Sequence, residues 1–286
     1  MKRHQRMKQV LETTVRKIGD KEFNKLSRFI EQEVGIKLPP VKRTLLESRL
    51  QKRLKTLQIP DFGQYCDLVF TTDEGALEIV EMIDAITTNK TDFMRESAHF
   101  EFMVHTALPE LTKSRRELNL WSAACSSGQE PYNMAMFVEE FIEKAGMVNY
   151  NVAATDISKS SLEKARRAVY DMKDIDIVSN GFKKKYFLKS RDAKKTEVRI
   201  KADLRKKVYF RPINLMKDDY GLNKKFDIVF CRNVLIYFNK ENQADVIRRI
   251  VSHMNSGGYL FLGHSESLAG MRKNLVSVGT SVYRKE

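Results

Sequence analysis

A turn of small side chains between a predicted strand and a predicted helix is the segment best suited to bind a small molecule. Residues 121–132 read WSAACSSGQEPY, and Pro131 lies in the first turn of the helix. Small side chains let a ligand approach the backbone, and open α/β sheets bind ligands at the carboxyl ends of their strands. The segment contains neither GxGxxG nor GxxxxGKS/T, which disfavours a dinucleotide or a triphosphate. Glu130 would repel phosphate but is suited to an amine. An ordinary β-to-α turn is the alternative interpretation.

A second acidic residue follows the next apolar strand. Asp156 closes the stretch AATD, and an acid about 20–30 residues after the turn is placed to accept both hydroxyls of a ribose. The alternative is that Asp156, or Ser158 just after it, caps the following helix. Together, Asp156 and Glu130 favour a nucleoside ligand without phosphate contacts. S-adenosylmethionine fits, because it offers a ribose diol to Asp156 and an amino group to Glu130.

A third group follows a strongly apolar strand within residues 226–238, FDIVFCRNVLIYF. The strand should deliver Cys231, Arg232 and Asn233 to the same edge of the sheet, with Tyr237 one helical turn beyond Asn233. The alternative is that Tyr237 is a core residue and Arg232 forms a surface ion pair. Cys231 is not expected to be a nucleophile, because no histidine is evidently paired with it.

A fourth group of small polar residues lies between the helical part of the chain and the strand-rich part. Residues 87–96 read TTNKTDFMRE, with Arg95 as the only arginine. This composition suggests a segment that covers a ligand. The alternative is a capped start of a helix.

The elements that position these groups begin with a helical region. Apolar residues there recur at helical spacing, Pro39-Pro40 opens a second helix with a leucine stripe, and Asp61 is expected to cap a third. Asp73 is expected to cap a fourth helix, whose inward residues would be Leu77, Val80, Ile83 and Ile86. The helical pattern breaks at residues 87–91, so we predict an N-terminal helical domain at 1–88.

From residue 118 short apolar strands alternate with helices, including one predicted at 159–170. This alternation predicts a mostly parallel sheet flanked by helices over residues 89–286, and two short strands at the end predict a terminal β-hairpin. Residues 183–207 interrupt the rhythm with twelve basic and three acidic residues. We interpret them as part of a small antiparallel insertion, at about 175–210, whose alternating apolar residues continue through Val208 and Phe210. A solvated linker is the alternative.

Composition places the chain among globular proteins with an acidic partner. The 286 residues are 42% hydrophobic and carry a net charge of +14, from 51 basic and 37 acidic side chains. Nucleic acid, a membrane surface or an acidic protein would suit this charge. No run approaches the ~20 apolar residues that span a bilayer, so no membrane insertion is expected. Three separated cysteines indicate neither disulfides nor a metal site, and no apolar signal core follows the basic start, which favours the cytoplasm.

The four groups, in this order behind a basic helical region, closely resemble the CheR family of chemotaxis receptor methyltransferases from about residue 20 to the end. The most specific parts are TTNKTDFMRE, WSAACSSGQEPY, FCRNVLIYF and GGYLFLGHSESL. The resemblance implies an α/β protein: an all-helical N-terminal domain and a Rossmann-like S-adenosylmethionine-dependent methyltransferase domain with a small antiparallel β-subdomain. It also implies methylation of glutamate side chains on the cytoplasmic helices of chemoreceptors, with S-adenosylhomocysteine as the second product.

The family's functional residues transfer to matching positions of this sequence. Arg95 and Tyr237 are implied nearest the transferred methyl group. The implied cofactor contacts are Asn89, Thr91, Arg95, Glu130, Asp156, Asn214, Leu215, Arg232 and Asn233. Cys125 and Gln129 depart from the Ala-Ala-Ser-Thr-Gly-Glu-Glu that relatives commonly carry. In some relatives the β-subdomain docks a receptor C-terminal pentapeptide, but the loop at 188–196 lacks the usual glycine.

Recognition of an acidic receptor helix is expected on the second helix, at about 40–57. Its basic residues are Lys42, Arg43, Arg49, Lys52, Arg53 and Lys55, and a merely solvated face is the alternative. Two other functions compete. A nucleic-acid methyltransferase would explain the charge, but a Pro-Pro-aromatic tetrad and interleaved aromatic residues are missing, so no nucleic acid is expected. A non-catalytic S-adenosylmethionine-binding adaptor is disfavoured by the intact acidic and arginine positions.

Overall fold

Helices form the first of two units in the chain. The computed structural model describes residues 17–146, 148–192, 194–268 and 274–286, and the boundary between the units lies between Thr87 and Thr88. Among residues 17–87, the α-helices of the first unit are α1 (Asp20–Val34), α2 (Arg43–Leu57), α3 (Phe62–Thr71) and α4 (Gly75–Ile86).

The boundaries of these helices follow from local chemistry. Gly35 ends α1 in the left-handed conformation, with φ of 74°, and donates its N–H to the carbonyl of Glu31. A 3₁₀ turn at Pro40–Lys42 precedes α2, which buries Leu46, Leu50 and Leu54. The Asp61 carboxylate accepts the N–H of Gln64 and caps α3, as the sequence predicts.

The inward face of the fourth helix is only partly the predicted one: Ile86 is buried as predicted, Ile83 is half-buried, and Leu77 and Val80 are exposed. The helix begins at Gly75 and has no side-chain cap, so Asp73 does not cap it. Leu77 and Val80 are 75% and 47% exposed, whereas Glu78 is 5% exposed. Glu78 takes the inward position because Tyr65 and Arg53 donate hydrogen bonds to its carboxylate, which satisfies the buried charge.

The second unit contains a seven-stranded sheet of order β6-β2-β1-β7-β8-β10-β9. Its strands are β1 (Glu117–Ala123), β2 (Asn149–Asp156), β6 (Val208–Pro212), β7 (Phe226–Cys231), β8 (Met254–Leu262), β9 (Leu275–Gly279) and β10 (Val282–Lys285). The first five in sheet order pair in parallel, and β10 pairs antiparallel with β8 and β9. The predicted mostly parallel sheet and terminal hairpin are confirmed.

Helices cover this sheet on both faces. The α-helices described in the second unit are α5 (Ala98–Phe102), α6 (Leu108–Thr112), α7 (Gln129–Ala145), α8 (Lys159–Arg167), α9 (Asn180–Tyr186), α10 (Ala202–Arg205) and α11 (Lys240–Ser252), with a π-turn at Met103–Ala107 between α5 and α6. Side chains alternate along β1, so Leu118 and Leu120 enter one apolar cluster while Trp121 and Ala123 enter the other. None of the described helices is long and apolar enough to cross a membrane.

A separate antiparallel sheet lies between β2 and β6 in the sequence. Its strands are β3 (Val169–Asp171), β4 (Phe187–Lys189) and β5 (Glu197–Ile200), in the order β3-β5-β4. The helix predicted at 159–170 ends at Arg167, because Ala168 adopts a left-handed conformation and Tyr170 pairs in β3. Val208 and Phe210 pair with β2 in the large sheet instead of extending the insertion. Alternation predicts a strand but does not identify its partner.

The sheet reverses its winding between β1 and β7. The chain builds β2 and β6 on one side of β1 and β7 and β8 on the other side. Ligands of open α/β sheets bind in the crevice at such a switch point, at the carboxyl ends of the strands. The turns after β1, β2 and β7 all lie at this edge.

Candidate cofactor site

The turn after β1 bends sharply and is fastened to β2. Ala124, Ser126 and Gly128 have φ values of 70°, 48° and 95°. The Cys125 N–H donates to the carbonyl of Thr155 at 2.8 Å. A side chain at Gly128 would place its Cβ 2.9 Å from the hydroxyl oxygen of Tyr170. The left-handed residues and the close approach of Tyr170 to Gly128 therefore shape the turn. It presents its backbone to the crevice with little side-chain bulk.

Asp156 connects the turn to the end of β2. The side chain is 7% exposed, and its Oδ2 accepts the N–H of Ser126 at 2.7 Å while its Oδ1 accepts the N–H of Ser158 at 2.8 Å. Ser158 caps α8 by accepting the N–H of Ser161. A carboxylate has about four acceptor sites, so backbone contacts of this kind are compatible with accepting ribose hydroxyls.

Glu130 occupies the first turn of α7, on the other side of the small-residue turn. Its Oε1 accepts from the hydroxyl of Ser122 at 2.7 Å, and its Oε2 lies 3.3 Å from Nη1 of Arg232. Burial raises the pKa of Glu130, and the nearby guanidinium and hydroxyl oppose that shift. A bound ammonium group would stabilise a carboxylate in this environment, because it would place further positive charge next to it.

Arg232 is the centre of a buried ion-pair network at the carboxyl end of β7. Its side chain is 2% exposed and lies between Glu130 and Glu96, with its Nη2 3.1 Å from Oε2 of Glu96. The same Nη2 donates to the backbone carbonyl of Arg95 at 2.5 Å. Burial opposes ionisation of Glu96, but Arg232 and a hydrogen bond from Asn233 lower the pKa of that carboxyl. Arg232 therefore joins Arg95 and Glu96 to the sheet. The alternative that Arg232 forms a surface ion pair is wrong, because its side chain is buried.

The segment between Asn89 and Glu96 lies against the turn after β1. The Asn89 side-chain amide donates to the hydroxyl of Ser158 at 3.1 Å, and the Asn89 carbonyl accepts from the hydroxyl of Ser126 at 2.8 Å. Thr91 is half-buried, and Arg95 is exposed and donates to the carbonyl of Lys90. The segment therefore borders the same crevice as Asp156, and the helix α5 begins only after it.

The remaining predicted site residues follow β6 and β7. Asn214 is half-buried, its Oδ1 accepts the N–H of Met216, and Leu215 is 7% exposed in the core. Asn233 has a φ of 57° and donates from Nδ2 to Glu96 at 3.3 Å. Tyr237 is half-buried at the end of a 3₁₀ turn, Leu235–Tyr237. All these strand ends lie at one edge of the sheet.

Several residues that organise this edge have no role predicted from the sequence. Ser122 holds Glu130, Glu96 holds Arg232, and Glu266 accepts several backbone N–H groups. Glu96 and Glu266 stand within the motifs TTNKTDFMRE and GGYLFLGHSESL, but the partners that they hold after β7 are more than thirty positions away in the sequence.

A cluster of metal-ligand type occurs next to this network. Within the described ranges, ligand atoms of Glu96, His99 and His264 lie within 4.8 Å of one another. Burial, reinforced by Arg232, lowers the pKa of His99 to about 4. The guanidinium of Arg232 already neutralises Glu96 and would repel a cation, so the cluster does not suit a metal ion.

The cysteines contribute no nucleophile. Cys66, Cys125 and Cys231 are buried and free. Burial raises the pKa of the Cys125 and Cys231 thiols well above their ordinary value. The expectation that Cys231 does not attack a substrate agrees with this environment.

The basic residues predicted for recognition divide into two groups. Arg43 pairs with Asp20, Arg49 donates to the carbonyls of Ile86 and Thr87, and Arg53 pairs with Glu78 and Glu81. These arginines stabilise the helical unit. Of the lysines, Lys42 is half-buried and Lys52 and Lys55 are exposed.

A groove runs between α2 and α4. It is lined by Ser48, Arg49, Lys52, Arg53, Thr56, Glu81, Asp84 and Ala85. Lys52 therefore reaches both solvent and the groove.

The chain is similar over most of its length to proteins named chemotaxis protein methyltransferase. It is 38% identical over 271 residues to that of Borreliella burgdorferi, which spans 92% of this chain and 94% of the relative. It is 39% identical over 256 residues to that of Vibrio anguillarum, which spans 89% of this chain and 92% of the relative. Among solved structures, magnesium protoporphyrin IX methyltransferase from Synechocystis PCC 6803 with bound SAM is 16% identical, with 77% of this chain and 94% of that chain covered, at a TM-score of 0.35. A likeness at that level does not bear on function.

Both units match domains of one family. Residues 21–87 match the family described as CheR methyltransferase, all-alpha domain. Residues 89–284 match CheR methyltransferase, SAM binding domain. Because the matches cover nearly the whole described chain, this protein belongs to the CheR family of S-adenosylmethionine-dependent methyltransferases.

Proposed function

We propose that the protein transfers a methyl group from S-adenosylmethionine to glutamate side chains on the cytoplasmic helices of chemoreceptors, forming glutamate methyl esters. The observation that supports this most is the pair of acids on either side of the small-residue turn. Asp156 and Glu130 lie at the switch point of the sheet, where Asp156 suits a ribose and Glu130 suits an amine.

The cofactor supplies an electrophilic methyl group on a positively charged sulfur. In the proposal Asp156 accepts the ribose hydroxyls and Glu130 binds the amino group. The other residues proposed around the cofactor are Asn89, Thr91, Arg95, Asn214, Leu215, Arg232 and Asn233. Arg232 acts mainly by holding Glu130 and Glu96, because its guanidinium is already paired with both carboxylates.

The methyl acceptor needs little chemical activation. A glutamate carboxylate, with an ordinary pKa near 4.3, is ionised at neutral pH and requires no general base. The protein must therefore orient the two reactants and exclude competing water. Arg95 is exposed at the crevice and is proposed to orient the incoming carboxylate, and half-buried Tyr237 is proposed to border the methyl site.

The assay for this function uses radiolabelled S-adenosylmethionine with either a receptor cytoplasmic domain or RNA. We expect label on the receptor domain that mild base releases as methanol, because carboxyl methyl esters are base-labile. A receptor domain with its methylation-helix glutamates replaced by alanine is the control and should stay unlabelled. Label on RNA, base-stable label on the receptor, or no label at all would contradict the proposal.

Receptor docking is proposed on the exposed face of α2. Lys52 and Lys55 point to solvent, whereas Arg43, Arg49 and Arg53 are held by contacts within the helical unit. An acidic receptor helix would meet the lysines without breaking internal pairs. Docking of a receptor pentapeptide on the small sheet is not included, because residues 190–196, between β4 and β5, contain no glycine.

Reversing the charge of both lysines tests this surface. We expect the double variant Lys52→Glu, Lys55→Glu to raise the KM for the receptor domain about tenfold at low salt, since rim charges mainly affect encounter with a charged partner. Added salt should reduce the difference, because screening weakens exposed charges. Cofactor affinity should stay unchanged, as measured by calorimetric titration with S-adenosylhomocysteine.

The matched control makes the same change in net charge elsewhere. Lys206 and Lys224 have side chains that are 76% and 64% exposed in the second unit. If Lys206→Glu, Lys224→Glu raised the receptor KM equally, net charge and not the α2 face would be responsible. Arg53→Glu is unsuitable for this test, because it would leave Glu78 buried without its partner.

A further inference from the structure

A buried carboxylate gathers the backbone that follows β7. Glu266 is 6% exposed. Its Oε2 accepts the N–H groups of Asn233 at 2.8 Å and Gly263 at 2.7 Å, and its Oε1 accepts those of Val234 at 2.9 Å and Leu235 at 2.8 Å. Both oxygens therefore accept two backbone donors each.

The backbone around this carboxylate is shaped like an anion-binding site. Asn233 has a φ of 57°, which directs three successive N–H groups, at Asn233, Val234 and Leu235, toward one point. Successive N–H groups that converge in this way form a concavity that binds anions. Without the carboxylate, these buried and half-buried donors would lose their partners, which is unfavourable wherever water cannot replace them.

The backbone at Gly263, just after β8, also lies close to the loop after β7. A Cβ at Gly263 would lie 2.6 Å from Nδ2 and 2.9 Å from the backbone N of Asn233, so no side chain fits there. Gly263 and Glu266 are further connected by a hydrogen bond from the Glu266 N–H to the Gly263 carbonyl. The segment after β8 is therefore built to bring one carboxylate into the loop after β7.

That loop carries residues of the candidate site. Asn233 reaches Glu96 with its side chain, and Tyr237 ends the 3₁₀ turn that begins at Leu235. The N–H of Leu235 is one of the donors to Glu266. The position of the carboxylate thus determines where the loop starts its 3₁₀ turn and which way Asn233 faces.

We infer that Glu266 is a positioning residue for methyl transfer, whose carboxylate acts as an internal anion that holds residues 233–235 in the reactive conformation. The inference rests on the proposed placement of the reactants against Asn233 and Tyr237. Glu266 contacts neither reactant. Its carboxylate is required because glutamine would offer one acceptor oxygen and would turn an NH₂ donor toward two backbone N–H donors.

The experiment compares Glu266→Ala and Glu266→Gln with the wild-type protein. Hydrogen exchange of a peptide covering 232–238, measured by mass spectrometry, reports the loop without any ligand. We expect faster exchange in this peptide and a fall in kcat of about 100-fold, the size expected when a reactant is misplaced by about 1 Å. The receptor KM should change by less than about twofold, because docking is proposed on α2 and depends on its exposed charges.

Rescue by formate provides a second measurement, because a residue with a merely structural role would not regain kcat when formate is added. In Glu266→Ala, formate should enter the vacated concavity, restore protection of the 232–238 peptide and recover part of kcat. Glu78→Ala, which removes another buried carboxylate in the first unit, is the matched control and should show no gain with formate.

Each outcome decides the inference. Unchanged exchange in the 232–238 peptide, or a loss of kcat that formate does not recover, would overturn it. The exchange measurement needs neither cofactor nor receptor, so it remains valid if the methylation assay fails. Failure of the proposed function and failure of this inference are thereby distinguished.

Discussion

Replacing Arg232 with methionine should lower the free energy of unfolding by about 3–5 kcal/mol, because removing one partner of a buried pair leaves an uncompensated charge. Here two carboxylates, Glu96 and Glu130, would lose the guanidinium between them. Urea unfolding followed by tryptophan fluorescence measures the change. Trp121 is the only tryptophan and is fully buried in the second unit, so its signal reports that unit.

Two further variants show whether the loss of stability arises from buried charges that have lost their partner. Adding Glu96→Gln and Glu130→Gln to Arg232→Met should recover part of the lost stability, since the unpaired charges are then removed. Arg248→Met breaks a surface pair with Asp245 in which the arginine side chain is 70% exposed, and should leave the unfolding midpoint unchanged. Equal losses of unfolding free energy in Arg232→Met and Arg248→Met would refute a buried network centred on Arg232.

Replacing Asp156 with alanine should weaken S-adenosylhomocysteine binding by at least about 100-fold, because hydrogen bonds to a charged group contribute about 1.5–3 kcal/mol each. The variant loses the proposed acceptor of the ribose hydroxyls. It also loses the contact to the Ser126 N–H that shapes the small-residue turn. Calorimetric titration measures the dissociation constant directly.

Two controls separate ligand binding from general damage. Asp156→Asn keeps one acceptor oxygen, so its loss of cofactor affinity should be smaller than that of Asp156→Ala. Asp227 is 1% exposed near the start of β7, at the opposite edge of the sheet, and accepts from the N–H of Asn119. Asp227→Asn should lower stability while cofactor affinity stays close to that of the wild type. Wild-type affinity in Asp156→Ala would show that the ribose lies elsewhere.

Local patterns in the sequence predict most of the architecture of the second unit. Short apolar strands alternating with helices predict a parallel sheet, and parallel strands place the residues after β1, β2 and β7 at one edge. Asp156 and Glu130 could be selected because ligand sites of such sheets lie at that edge. The cap at Asp61 was also predicted correctly, since caps depend on the nearest few residues.

Long-range charge pairing could not be predicted from the same patterns. Arg232 and Glu96 are 136 positions apart, and nothing in either segment identifies the other as its partner. The inward face of α4 was mispredicted for a related reason, because Glu78 is buried by pairing with Arg53 of α2. Hydrophobic periodicity treats every charged residue as exposed, so it fails where a charge is buried with its counterion.

The basic residues of the second helix show what a count of charges leaves out. Six positive side chains in the sequence suggested one docking surface, but three arginines are used within the helical unit. Charge counts do not reveal which side chains have partners in the folded chain. The exposed lysines therefore carry the proposed recognition.

The buried state of the cysteines has a practical consequence for following this enzyme in solution. Thiolates, and not thiols, attack alkylating reagents, and the buried thiols of Cys66, Cys125 and Cys231 offer very little thiolate at neutral pH. A cysteine introduced at an exposed position such as Lys55 would react with a maleimide dye much faster than they do. The protein can thus be labelled at a chosen site for distance measurements without first removing its own cysteines.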